Sequence, residues 1–246
     1  MSKVIGICGK KSSGKSSVCS LIIKMLPSLK VKEMSFAKTL KDLAIDVFGL
    51  DKKYVHGSES DKNYPISTWG DYFHNGIIDK YNKRYNDLLT GREFMQLLGT
   101  EVMRSGDFNK MSNQDQYEKI LLWLSKKAPF ISNNPNYDYN NIWIDILIND
   151  IEKQKDNYDI ILISDVRFIN ELICLKKAGA KLIRLYRDVN TYNSIPHSSE
   201  LEMDKMQDKD FDHVLHEENN INMTHLRNFA IKVLTVEGFL GQGFLV

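Results

Sequence analysis

Apolar positions along the chain fall into short unbroken runs and into stripes recurring every three to four residues, the signatures of buried strands and of amphipathic helices. Val4-Ile5-Gly6-Ile7-Cys8 is a buried-strand pattern, and a helix is expected over 15–25. Residues 31–36 alternate as a strand does. They lead into a helix reaching Phe48, with Leu40, Leu43, Ala44 and Val47 as its apolar stripe and Gly49 as its C-cap. The segment 50–89 is polar, aromatic and irregular, with His56, Tyr64, Trp69, Tyr72 and Phe73 interspersed, and reads as a substrate-facing loop region or a surface insertion. Over 92–103 the stripe returns: Phe94, Leu97, Leu98 and Val102 mark a buried face, while Gln96, Thr100 and Arg104 recur every four residues along a polar one. A short amphipathic helix over 117–123 and an Asn/Tyr/Pro-rich loop over 133–141 follow, giving the stretch 105–141 the look of a surface insertion. A helix over 142–155 then precedes the apolar run 159–165, which reads as a central parallel strand covered on both faces. Strand-like runs at 181–187 and 212–215 and a closing helix over 226–236 complete the order. Strand and helix alternate throughout, which predicts an α/β fold with a parallel sheet flanked by helices.

Composition narrows this picture. A chain of 246 residues with 42% hydrophobic content can bury one sizeable core carrying an inserted subdomain. Its 33 basic and 32 acidic residues are interspersed, so no polyanion track for stable nucleic-acid binding is expected. The three cysteines, Cys8, Cys19 and Cys174, lack metal-ligand spacing and suit a reducing compartment, with Cys8 and Cys174 packing as small apolar residues. No apolar run approaches the ~18 residues of a membrane span and no signal peptide is seen, so a soluble cytoplasmic protein is expected, in the host cytoplasm if the source is viral.

The first strand runs into Gly9-Lys10-Lys11-Ser12-Ser13-Gly14-Lys15-Ser16, a complete G-x-x-x-x-G-K-[ST] P-loop (Walker A) in strand-loop-helix context. The glycines let successive backbone N–H groups converge on one concavity, and the following helix adds the positive end of its dipole. ATP is the natural guest: residues 9–17, including Ser17, would cradle its phosphates, Lys15 would reach the outer ones, and the Ser16 hydroxyl would ligate magnesium. No Asn-Lys-x-Asp guanine motif is present, since Asn82-Lys83-Arg84-Tyr85 and Asn109-Lys110-Met111-Ser112 fail at the last position.

Ligands of open parallel sheets bind beyond the carboxyl ends of the strands. The run 159–164 ends in Asp165-Val166-Arg167, which sets a carboxylate and a guanidinium on one side of an extended segment. Asp165 could hold a magnesium-bound water and Arg167 could grip an acceptor phosphate, with Asn170 and Glu171 continuing the cluster. An aspartate helix cap beside a solvated arginine would give the same spacing. Arg187 closes the next strand and opens a polar segment, 188–206, suited to be a lid that excludes water, although Ser198 or Ser199 followed by Glu202 equally marks an ordinary surface helix.

Together these segments resemble the deoxynucleoside monophosphate kinases of bacteriophages and other viruses, a branch of the P-loop kinases. The resemblance rests on 9–16, on Ser35-Phe36-Ala37-Lys38-Thr39-Leu40-Lys41, on 92–101 with Arg104, on Trp143, on 165–171, on Arg187 and on His197-Ser198-Ser199-Glu200, in family order over about two-thirds of the chain. It implies one P-loop kinase domain over 1–246, with a helical acceptor-binding insertion at about 50–142 and a lid at about 188–206. It also implies transfer of the ATP γ-phosphate to the 5′-phosphate of a deoxynucleoside monophosphate. Carried over by position, Lys15 and Ser16 would bind ATP and magnesium, Lys41, Arg92, Gln96, Thr100 and Arg104 would line the acceptor side, Arg167 would contact the acceptor phosphate, and Arg187 would belong to the lid. The segment between Arg104 and Trp143 is longer than expected for the family and could reshape the acceptor pocket or carry a homodimer contact. Kinases of other phosphorylated acceptors, of the dephospho-coenzyme A or phosphomevalonate type, share the cradle and the Asp-x-Arg strand end, and a non-catalytic ATP-sensing module would share the cradle alone.

Overall fold

The computed structural model describes residues 2–10, 12–187, 198–217 and 222–241. Along the chain the elements are β1 (Lys3–Cys8), α1 (Lys15–Met25), β2 (Val31–Met34), α2 (Phe36–Asp46), α3 (Lys52–His56), α4 (Glu59–Lys62), β3 (Pro65–Thr68), α5 (Asn75–Lys80), β4 (Leu88–Thr90) and α6 (Gly91–Gln96). They continue as α7 (Gln114–Lys127), α8 (Pro129–Ser132), α9 (Ile142–Gln154), β5 (Ile160–Val166), α10 (Ile169–Lys177), β6 (Lys181–Arg187), α11 (Ser198–Lys205), β7 (His213–Glu217) and α12 (Met223–Val236). Two compact units result, one of residues 1–36 with 148–246 and one of residues 37–147. Among the described residues no helix is long and apolar enough to cross a membrane.

The first unit is a five-stranded sheet in the order β2-β5-β1-β6-β7, parallel throughout. Strand β5 has neighbours on both edges, and Ile160, Ile161, Leu162 and Ile163 are all fully buried, as an unbroken apolar run demands of a strand covered on both faces. On one face Ile5 and Ile7 pack with Val18 and Ile22 of α1 and with Leu226, Phe229, Ala230 and Val233 of α12. On the other face α10 comes so close that a Cβ on Gly6 would lie 3.1 Å from Leu175, and 2.9 Å from Leu182 of the neighbouring strand β6. This α/β sandwich with a P-loop after its middle strand is the P-loop NTPase fold.

Several boundaries differ from the sequence pattern for identifiable reasons. Strand β2 stops at Met34 because the Phe36 amide opens α2 by donating to the Asp165 carboxylate. Helix α2 ends at Asp46 rather than Phe48, and Gly49 turns the chain with φ +67°. The last strand is His213–Glu217, and α12 starts three residues early because the Asn222 side chain accepts the Thr224 amide as an N-cap. Cys8 and Cys19 are buried, but Cys174 is only half-buried and does not pack as a core residue.

The second unit corrects the reading of 50–89 as irregular loop. That stretch carries α3, α4, the antiparallel β3–β4 hairpin and α5, and Trp69 and Phe73 are buried core residues. Tyr72 and Phe94 stand edge to face at 4.8 Å, and Phe48 adds to the same cluster at 5.1 Å from Phe94. The short helix expected at 117–123 is a fourteen-residue one, α7, capped by the Asn113 side chain and buried through Ile120 and Leu124. Past Gln96 the expected α-helix rewinds as a π-helix, Leu97–Arg104, on which the buried Trp143 indole donates to the Gly99 carbonyl at 3.2 Å.

Candidate active site

Strand β1 delivers the chain into a loop that tolerates few side chains. A Cβ on Gly9 would fall 2.7 Å from the Leu185 carbonyl and 2.4 Å from the Ser13 hydroxyl, so glycine is required for the loop to lie on β6. Ser12 and Gly14 take φ of +62° and +93°, the left-handed turns that aim neighbouring amides into a common concavity. Ser13 is fully buried beneath the loop. Helix α1 starts at Lys15 with no side-chain cap and no acidic residue in its first turn, so its positive end is left to an anion. Ser16 is exposed and Ser17 half-buried in that turn. Lys11 lies outside the described residues.

The Lys15 ammonium folds back on the loop, donating to the Gly9 carbonyl at 2.6 Å and the Lys10 carbonyl at 2.7 Å. Burial, and then the nearby Arg167 guanidinium, lower its pKa to about 8, against a smaller opposing pull from Asp165. Lys10 pairs with Asp204 of α11 at 2.6 Å. Cys8, which ends β1, has its thiol pushed up to about 11 by burial and rests against the Met206 sulfur at 3.7 Å.

At the end of β5, Asp165 is half-buried and one of its oxygens accepts the Phe36 amide at 2.8 Å, so it caps α2 while standing close enough to Lys15 to influence its charge. Arg167 is half-buried beside Lys15. Glu171, expected among the substrate-contacting groups, is instead buried to 1% exposure, and its Oε2 accepts the Arg167 amide at 2.8 Å and the Phe168 amide at 3.1 Å. It therefore acts as the N-terminal cap of α10 and holds the backbone that carries Arg167, the outcome a carboxylate at the third position of a helix favours. The Asn170 side chain accepts the Glu171 amide at 3.0 Å. Arg187 ends β6, and its side chain lies outside the described residues, as do 188–197 of the expected lid; 198–205 form α11.

Sequence reasoning passed over Arg184. This side chain leaves β6 at the position paired with Cys8 and donates to the Met206 carbonyl at 2.8 Å and to Asp208 at 3.0 Å, with Phe211 at 5.5 Å from its guanidinium. It seats the end of α11 next to the P-loop. The signal was an arginine interrupting an otherwise apolar strand.

The remaining expected residues belong to the second unit. Lys41 is half-buried on α2. Arg92, in the first turn of α6, binds Glu59 and Asn63. Gln96 ends α6, and Thr100 and Arg104 lie on the π-helix, where the Arg104 guanidinium donates to the Asn140 carbonyl at 3.2 Å. Structure thus gathers Lys15, Ser16, Asp165 and Arg167 in one unit and the Arg92–Arg104 set in the other.

Comparison with known proteins agrees with the motif pattern. Over 207 residues the chain is 26% identical to a "Putative deoxynucleotide monophosphate kinase" of Acanthamoeba polyphaga mimivirus, covering 84% of this chain and 85% of that one. The chain resembles the viral deoxynucleoside monophosphate kinases. No family model matches it. Among solved structures, a sugar kinase from Janibacter sp. HTCC2649 aligns over 100% of this chain and 99% of its own at 9% identity and a TM-score of 0.42. A dephospho-CoA kinase from Campylobacter jejuni aligns over 96% and 97% at 13% identity and a TM-score of 0.38.

Proposed function

We propose that this protein is an ATP-dependent deoxynucleoside monophosphate kinase, transferring the γ-phosphate of ATP to the 5′-phosphate of the acceptor and releasing ADP. The observation that carries the reading is the register of the two strand ends: Cys8, which opens into the P-loop, lies opposite Val166, so the Asp165–Arg167 end of β5 stands beside the loop that holds Lys15, and both charges bear on that lysine. A cradle for one polyphosphate needs only Lys15. A second, half-buried guanidinium beside it suits a reaction in which two phosphate groups meet. The viral relative supports the choice of a deoxynucleotide as acceptor.

Transfer to a phosphate oxygen needs no protein nucleophile; positioning and stabilisation of the charge spreading over the phosphoryl oxygens suffice. In this reading Lys15 leaves the Gly9 and Lys10 carbonyls for the outer phosphates of ATP, and Arg167 holds the acceptor phosphate in line. Magnesium keeps several waters and takes few protein ligands, which fits a hydroxyl exposed in the first turn of α1 and a half-buried carboxylate at the end of β5: Ser16 and Asp165 would hold it, and it would supply neutralisation of phosphate charge.

The test is a coupled assay of ADP release across the four deoxynucleoside monophosphates, their ribose counterparts and dephospho-coenzyme A. Release dependent on at least one deoxynucleotide is expected. Tight ATP binding with no acceptor-dependent release would overturn the proposal. Replacing Arg167 by Ala is expected to raise the acceptor KM by more than about tenfold, the loss of a charge-assisted phosphate contact, with ATP binding little changed. Collapse of ATP affinity alone would place Arg167 on the donor.

A further inference from the structure

Arg184 stands in β6 between the buried Ile183 and Leu185, and only 11% of its side chain is exposed. Burying a guanidinium is costly unless its donors are met, and here they are. Its Nη1 donates to the Met206 carbonyl at 2.8 Å and to the Asp208 carboxylate at 3.0 Å. The centres of the Phe211 and Tyr186 rings lie 5.5 Å and 5.6 Å from its central carbon. The other Asp208 oxygen is 2.7 Å from His216 Nε2, so β6 and β7 both hold the turn that follows α11. Met206 comes directly after the last residue of α11, and its carbonyl is among those a helix leaves without an internal partner. A cation there also answers the negative end of the helix dipole, so α11 is pinned where it stops.

The pinned end of α11 lies against the P-loop. Met203 and Met206 are buried, and the Met206 sulfur meets the thiol of Cys8, the residue before Gly9, at 3.7 Å. Asp204, between the two methionines, binds the Lys10 ammonium at 2.6 Å. Lys10 is the residue on which the loop closes: its carbonyl accepts the Ser13 amide at 3.2 Å and the Lys15 ammonium at 2.7 Å. Contacts therefore run without a break from Arg184 through the end of α11 to Lys10, and from Lys10 to the lysine of the cradle. Every member of this chain of contacts belongs to the first unit. Loop amides hold a polyphosphate best when their directions are set beforehand, because ordering them on binding is subtracted from the affinity. The Lys10 and Asp204 side chains stay 40% and 51% exposed, so their pairing adds little to stability and acts instead on where the loop sits.

We propose that Arg184 and Asp204 are positioning residues of the nucleotide cradle: Arg184 fixes the end of α11, and Asp204 on that helix fixes Lys10 and the loop around it. This rests on the reading of the P-loop as an ATP site, and it gives the last turn of α11 a task there.

The experiment measures ATP binding by calorimetry in magnesium buffer for the wild type, D204A, K10A, K10A/D204A and R184A, together with melting temperatures and the acceptor KM. D204A is expected to raise the ATP Kd by about threefold, the size of effect an exposed pair carries, with the melting temperature moved by less than about 2 °C. Its acceptor KM is expected to change by less than about twofold. In the K10A background D204A is expected to change nothing further, because it acts through Lys10. R184A is expected to raise the Kd by about tenfold, since it frees the end of α11 and with it both contacts to the loop. D204A, at an exposed residue, decides the matter if R184A does not fold. An unchanged ATP Kd in D204A, with or without a lowered melting temperature, would make the ion pair a mere strut and overturn the proposal. A lowered Kd in D204A would overturn it too, making the carboxylate a competitor of the phosphates. So would a further rise from K10A to K10A/D204A, which would mean that Asp204 does not act through Lys10. A wild type that binds no ATP would bring down the P-loop reading and this proposal together. One that binds ATP and phosphorylates no acceptor would bring down the kinase assignment alone, with the Kd values still deciding the roles of Arg184 and Asp204.

Discussion

Lys15 is the residue whose chemistry is most open to a direct test. In the free protein its pKa of about 8 lies below the ordinary 10.5, because burial and Arg167 disfavour the charged form. A bound polyphosphate reverses that balance and holds the proton. Nucleotide binding is therefore expected to take up a proton above pH 8, and affinity to fall as the pH rises through that value; calorimetry in buffers of differing ionisation enthalpy measures both. Affinity independent of pH between 7 and 9.5, a span of about 2.5 units around this group, would show that Lys15 does not meet the phosphates. For stability the sign is opposite: between about 8 and 10.5 the unfolded chain binds the extra proton, so this group makes the fold gain stability as the pH rises. The thiols offer a second check at the same scale. Burial pushes Cys8 to about 11 and Cys19 to about 12, so a thiol reagent at pH 8 is expected to label the half-buried Cys174 first in the native protein. Mass spectrometry of the early adduct decides it. At this scale the sequence was readable where a spacing rule exists, as in Gly9 to Ser16, and unreadable where a side chain's role depends on distant partners. Glu171 had the spelling of a site residue and proves to be a cap; Arg184 showed only as a charge inside a strand-like run, with no motif around it, and anchors the end of α11.

Among the elements, the helix that starts at Gly91 carries the most unusual local geometry. Gln96, Thr100 and Arg104 recur at a spacing that an α-helix and a π-helix both place near one side, so the pattern could not reveal the rewinding at Leu97. What the pattern lacked is the Trp143 indole, which reaches the Gly99 carbonyl from 44 residues away. Replacing Trp143 by Phe removes that donor and leaves a buried carbonyl short of a partner, with an expected cost of about 1–3 kcal/mol. Gly99→Ala is expected to cost less, since its Cβ would meet only the movable end of Leu40, at 2.6 Å, and alanine favours helix by up to about 1 kcal/mol. Urea unfolding of the two variants tests the ranking; a costlier Gly99→Ala would mean that Leu40 cannot yield. The stretch 50–89 escaped the sequence reading for a related reason. Its helices are four to six residues long and its strands three to four, too short for any period to declare itself, and while Trp69 packs against Phe73 and Tyr81 within the stretch, Phe73 also meets Phe94 of α6 at 5.9 Å, a partner no local pattern names.

For the molecule as a whole, the alternation of strand and helix was sufficient to give a parallel sheet, but not the order of its strands. Strand order is a matter of which faces and edges pack, and the chain places β1, the first strand, between β5 and β6. Its amides are consequently expected to be among the slowest to exchange with deuterium, opening only with the global unfolding of the first unit, whereas those of β7, which has one neighbour, should exchange sooner. Equal rates in β1 and β7 would contradict this topology.

The same arrangement bears on how the protein is made. Both partners of β1 lie beyond residue 159, so the strand that launches the P-loop leaves the ribosome long before any edge exists for it to pair with. Until translation has passed Arg187, β1 is an apolar strand lacking at least one of its two partners, a natural client for a chaperone, and a message truncated between Ser16 and Lys181 yields a product that holds the complete phosphate-binding motif without both strands that flank it.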